Sequence, residues 1–157
     1  MSNYLEQFER VKRYYARFQK LSAGRPQDVP SEEYFDEIYA FFQNCYHLKE
    51  YLKNDPAFTK HSNQDVEDFV NNTPALAICA DICNGLKHLI LNKPPRSGDI
   101  PKISRKNIAL SINETIGSNK PTEVKIKASI EIDHKGTKLD AFQVATDALR
   151  AWSSFIN

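Results

Sequence analysis

Apolar residues recur every three or four positions through most of the first 91 residues, and every second position in two later stretches. The first spacing places side chains along one face of an α-helix; the second places them on one face of a β-strand. A first helix is predicted over residues 2–21, with Tyr4, Leu5, Phe8, Val11, Tyr15, Phe18 and Leu21 as its stripe. Gly24, Pro26 and Pro30 then break the pattern. A second helix is predicted from Ser31, a capping residue followed by Glu32 and Glu33, to about residue 54. Its core face is Phe35, Ile38, Phe42, Cys45, Leu48 or Lys49, and Leu52. Pro56 and an Asn/Ser cluster mark a loop, after which Ser62 and Asp65 read as a capping box for a short helix over 65–72. The fourth helix, residues 73–91, starts with Thr73 as cap and Pro74 at the first helical position, where no amide hydrogen is needed. Leu76, Cys79 or Ala80, Cys83, Leu86 and Ile90 form one apolar stripe, and Ile78, Ile82 and Leu89 another. A helix that is apolar nearly all round belongs in the interior.

Residues 92–102 carry three prolines and a glycine, and the pattern beyond them changes. Ile108, Leu110 and Ile112 alternate with Ala109, Ser111 and Asn113. Val124, Ile126, Ala128, Ile130 and Ile132 alternate with Lys125, Lys127, Ser129, Glu131 and Asp133. Both runs predict strands with one buried and one wet face, paired antiparallel. Residues 134–138 read as a turn, and Asp140 as the cap of a last helix whose Phe142, Ala145, Leu149, Trp152 and Ile156 face inward. A lone hairpin is marginal in water, so it should pack on the helices, on the last helix or on a second subunit. The predicted fold is mainly α within an α+β class. It is a single domain comprising a four-helix bundle (1–91), an antiparallel β-hairpin (103–133) and a C-terminal helix (140–157).

Charge changes the picture little: 21 Lys and Arg stand against 20 Asp and Glu in 157 residues. Any contact with RNA must come from a local patch. Lys12, Arg13, Arg17 and Lys20 suit the second half of the first helix as a solvated face complementing its dipole, with RNA phosphates as the functional alternative. Three cysteines without a signal peptide predict a reducing, cytoplasmic setting, and no segment is long and apolar enough to cross a membrane. No phosphate-binding glycine loop or nucleophile elbow is present. Cys79 and Cys83 at i, i+4 lack the paired second half of a zinc site, so they read as small buried hydrophobes, and neither metal nor nucleotide cofactor is expected. Glu67 and Asp68 read as a solvated face, and His61 and His134 as surface residues of turns.

Candidate chemistry lies on the fourth helix. Asp81, Asn84 and His88 fall at i, i+3 and i+7, which stacks them on one face of an otherwise apolar helix. Asn44, His47 and Tyr51 form a comparable stripe on the second helix. Histidine can give and take a proton near neutral pH, and a neighbouring Lys or Asn can hold a phosphoryl oxygen. The candidate catalytic set is therefore His88, Asn84, Lys87, Asp81, Asn44 and His47. The structural alternative is a hydrogen-bonded network tying helix to helix.

Cys83-Asn84-Gly85-Leu86-Lys87-His88 is similar to the signature of the HEPN superfamily, an Arg followed four to six residues later by His, often with Asn directly after the Arg. Residues 31–91 resemble the helical core of that superfamily, whose members are often RNases of toxin–antitoxin, CRISPR and antiviral systems. Here Asn84 and His88 match, and Cys83 stands at the Arg position. The resemblance implies a metal-independent endoribonuclease with His88 as general acid and base and with Asn84 and Lys87 on the phosphate. It also implies a homodimer with the two motifs facing one another, RNA as a partner, and a protein partner encoded nearby. Cys83 in place of Arg keeps a second class of function open: a non-catalytic homodimeric scaffold or regulatory module whose polar stripes are structural.

Overall fold

In the computed structural model, which describes residues 1–88, 93–114 and 116–157, the predicted periodicities become five helices and a four-stranded antiparallel sheet. The helices are α1 (Asn3–Ala23), α2 (Ser31–Asn54), α3 (Asn63–Asn72), α4 (Pro74–Lys87) and α5 (Ala141–Ile156). The strands are β1 (Arg25–Pro26), β2 (Lys102–Asn113), β3 (Glu123–His134) and β4 (Thr137–Asp140). None of the described helices is long and apolar enough to cross a membrane.

Local signals were realised unevenly at the helix ends. The α3 capping box is complete: Ser62 Oγ accepts from the Asp65 amide, and Asp65 accepts from the Ser62 amide at 2.8 Å. Asp140 caps α5 by accepting from the Phe142 amide. Ser31, predicted as a cap, is instead the first helical residue behind Pro30. Thr73 occupies the cap position of α4 but makes no side-chain cap bond, so Pro74 alone carries that start signal. The expected helix over 73–91 stops at Lys87, because His88 takes an extended backbone (φ −122°, ψ 131°) while its amide still donates to Asn84 O. Residues 89–91 of the expected helix lie outside the described residues.

The predicted hairpin is β2–β3, with Ile108↔Ala128, Leu110↔Ile126 and Ile112↔Val124 as direct partners. The register shifts between Ile103 and Arg105, so Ser104 is the extra residue of a bulge. That bulge reverses the parity, placing Lys106, Ile108, Leu110 and Ile112 on the helix-facing side with Ile130, Ala128, Ile126 and Val124. Two further strands arise where turns were predicted: β1 and β4 both pair with β3. The central β3 buries Ile126, Ala128, Ile130 and Ile132 in the same core as Phe8, Phe18, Phe42 and Trp152. The first four helices do not close a core by themselves, since α5 packs against α1, α2 and α4. Trp152 Nε1 donates to Cys45 O across 3.1 Å, which joins α5 to α2. The far end of the hairpin extends past the helices, leaving Leu110 60%, Ile112 67% and Ile116 98% exposed.

Candidate functional site

On α2, Tyr46, Lys49 and Lys53 stand at i, i+3 and i+7 and share one face. Opposite them, on α3, Glu67 takes Lys49 Nζ at 2.9 Å and Lys53 Nζ at 2.7 Å on Oε1, and an Arg96 guanidinium N–H at 3.0 Å on Oε2. Lys49 is 4% exposed and also meets Glu50 at 3.1 Å. Arg96 donates as well to Asn71 Oδ1 at 2.8 Å, and its guanidinium lies 5.9 Å over the Tyr46 ring. Buried Lys49 needs a paired carboxylate, and Glu67 supplies it while also joining half-buried Lys53 and Arg96.

The segment carrying Arg96 is fastened to α4 by Asp81. This carboxylate is 3% exposed and accepts from Arg96 N at 2.9 Å, Ser97 N at 2.8 Å and Ser97 Oγ at 2.6 Å. Ser97 Oγ also lies 3.0 Å from His134 Nε2, so the end of β3 braces the same segment. Between this segment, α2, α3 and the end of α4 opens a cleft of about 600 Å³, lined by Tyr46, Asn71, Asn84, His88, Lys93 and Arg96 together with Glu67 and Asp81.

Burial alone would raise the Glu67 pKa, but hydrogen bonds from Lys53, Lys49 and Arg96 outweigh it and hold the carboxyl at about 2. Burial likewise opposes the charges of Lys49 and Arg96, yet their bonds to Glu67 leave both pKa values raised. A carboxylate with a depressed folded pKa contributes stability above its ordinary value and loses it as pH falls. Glu67 should therefore withdraw its contribution between pH 4.5, the ordinary glutamate value, and about 2. A Glu67→Gln protein is expected to melt lower than its parent at neutral pH, with the gap narrowing across that acid window. A gap independent of pH by thermal melting would contradict this account.

Of the six candidate residues, the structure brings three to the cleft and leaves three elsewhere. Half-buried Asn84 and exposed His88 line it. Asp81 reaches it only as a buried anchor already serving three donors, a positioning residue rather than a group that meets substrate. Lys87 is exposed and is not among the lining residues. Asn44 faces α1: its Nδ2 donates to Ala40 O, and its backbone O accepts from buried Gln7 Nε2 at 3.0 Å. His47 is exposed beside Tyr46, with the rings 6.3 Å apart. The two Asn/His stripes do not face one another, because each residue step turns the helix ~100° and the α2 stripe that meets α3 begins at Tyr46.

Glu67 was expected on a solvated face and instead joins three cations, whereas Asp68 is exposed. His61 and His134, expected as surface residues, are half-buried; His61 stacks on Phe155 with ring centroids 4.2 Å apart. Arg96, Asn71 and Tyr46 went unrecognised. The available signal was the Tyr46, Lys49, Lys53 spacing, with Lys49 falling on the predicted core stripe where a cation demands a partner.

All three cysteines are free and buried. Burial first, and the neighbouring Cys45 next, pushes the Cys79 thiol well up, and burial raises Cys83 against the opposing charge of Lys87. Thiols held in this way are poor nucleophiles and ligands. Among the described residues, no group of three or more His, Cys, Asp or Glu is placed to hold a metal ion.

No protein-family model, no curated protein and no solved structure matches this chain.

Proposed function

We propose that the cleft binds the phosphodiester backbone of RNA and that His88 cleaves it as general base and acid, without a metal. The observation that carries this reading is the pairing of an exposed His88 and Asn84 with Arg96 and Lys93 around one cleft. Arg96 supplies, from the next segment, the guanidinium that position 83 lacks. In the reaction, the imidazole takes the proton of a ribose 2′-hydroxyl as its oxygen bonds to the adjacent phosphorus. The bond from phosphorus to the 5′-oxygen breaks, and that oxygen is protonated by the imidazolium. Arg96 and Lys93 stabilise charge on the non-bridging oxygens, and Asn84 donates to one of them. With the HEPN-like resemblance of residues 31–91, we read residues 1–91 as a four-helix bundle within the larger core and the chain as a cytoplasmic module of a bacterial defence or stress system.

A second reading, RNA or protein binding without cleavage, draws on one observation: a single Arg96 nitrogen already serves both Glu67 and Asn71. The test is to incubate the protein in EDTA with a single-stranded RNA and with its all-deoxy counterpart. Cleavage of the RNA alone, leaving 2′,3′-cyclic phosphate ends, is expected. Binding without cleavage would favour the second reading, and neither binding nor cleavage would overturn both RNA roles.

A further inference from the structure

The edge of β2 away from β3 has no partner strand among the described residues. Exposed edges recruit other strands unless charge, proline, a bulge or shortness prevents it. The first part of β2 has such protection in Lys102, the Ser104 bulge, Arg105 and Lys106. Residues 107–113, Asn-Ile-Ala-Leu-Ser-Ile-Asn, have none: seven residues without charge, proline or glycine, all exposed except half-buried Ile108. On their helix-facing side, Leu110 and Ile112 lie beyond the reach of the protein's own helices, at 60% and 67% exposure.

The order of these residues says what fits the edge. Read from either end about Leu110, the segment is almost the same: Asn107 matches Asn113, Ile108 matches Ile112, and Ala109 matches Ser111. One step further out, Lys106 matches Glu114, an opposite charge. An antiparallel pair around a two-fold axis sets each residue opposite its match in this way. We propose that the β2 edge is a homodimer interface in which two copies of residues 106–114 pair antiparallel about Leu110.

In that register Leu110 meets its own copy, each Ile108 meets the partner's Ile112, and each Lys106 meets the partner's Glu114 at both ends. Lys106, Ile108, Leu110, Ile112 and Glu114 alternate along the strand and so share the helix-facing side. A two-fold axis normal to the sheet keeps that side common to both copies, so the two overhanging apolar strips join into one. Lys106 Nζ rests over the Phe35 and Tyr39 rings at 5.4 and 5.3 Å, and an ammonium has three hydrogens, enough for a carboxylate as well. Glu114 is exposed. A strand from an unrelated protein would satisfy the edge but has no reason to reproduce this symmetry of residues. The inference stands apart from the RNA reading, since it uses no residue of the cleft.

Sedimentation equilibrium of the full chain over the micromolar range should show a dimer. Leu110→Lys sets two ammonium groups against each other at the axis and should leave monomer throughout, with a circular-dichroism spectrum like the parent's because Leu110 is 60% exposed in the single chain. The register is read separately by cysteine pairing under mild oxidation, against a background kept low by three buried native thiols. Leu110→Cys should form a covalent dimer, its two copies lying within disulfide reach. Asn113→Cys should not, because its copies are six residues out of register, roughly 20 Å apart at strand rise. A monomer throughout would overturn the proposal, as would a dimer that Leu110→Lys leaves intact. So would Asn113→Cys pairing as readily as Leu110→Cys.

Discussion

Changing His88 to Ala is expected to slow RNA cleavage by ~10²–10⁴-fold, the usual loss when a positioned general acid or base is removed. Stability should barely move. His88 is exposed at the end of α4, and its one hydrogen bond among the described residues runs through its backbone amide to Asn84 O, which alanine keeps. Exposed substitutions of this kind change stability by less than ~0.5 kcal/mol. Cleavage and melting should therefore separate. A structural role predicts the reverse pair, a lower melting temperature with cleavage unaltered. A His88→Ala protein that melts well below its parent, from a parent without detectable RNA activity, would end the enzyme reading.

Asp81→Ala should give the larger loss of stability. The carboxylate is buried and holds two amides and a hydroxyl of the segment that carries Arg96. Hydrogen bonds to a charged group contribute ~1.5–3 kcal/mol, and an unmet buried donor costs a similar amount. Because Arg96 and Ser97 are only half-buried, water can recover part of this, so the net loss is placed at ~2–3 kcal/mol. For a chain of this size that lowers the melting temperature by roughly 5–10 °C. RNA affinity should fall with it, although Asp81 touches no substrate, because Arg96 is then held by Glu67 and Asn71 alone. Arg96→Ala provides the comparison: it should lower affinity with a smaller effect on melting, since the Asp81 bonds to the backbone survive. An Asp81→Ala protein that melts with its parent would show that the segment is placed by other contacts.

These two residues sit on the same predicted stripe and have opposite fates, which shows how far a spacing argument reaches. Helical periodicity put Asp81, Asn84 and His88 on one face, and they do border one cleft. Periodicity could not tell that the chain returns fifteen residues later to cover Asp81 while leaving His88 in the open. The α2 stripe failed for a related reason. Asn44 and His47 have suitable spacing, but the face of α2 that meets α3 is the neighbouring one, chosen by where Glu67 stands.

The sequence by itself determined what depends on neighbours along the chain. The α3 capping box, the Pro74 start of α4, the alternating strands around residues 108–112 and 124–132, and the Asp140 cap each follow from residues within a few positions of one another. The near-palindrome about Leu110 is equally local and can be read without any structure. Tertiary structure alone decided the rest. Two-residue β1 and the short β4 are strands only because β3 lies alongside them; neither is long enough to carry a pattern of its own. The cation cluster draws Lys49, Lys53, Glu67 and Arg96 from three separate segments. A buried charge is stable only where its partner is placed, and that placement comes from packing α2, α3 and the segment after α4 around a common core. Whether a polar side chain is an anchor like Asp81 or a free reagent like His88 depends on what covers it, and cover is a property of the whole fold.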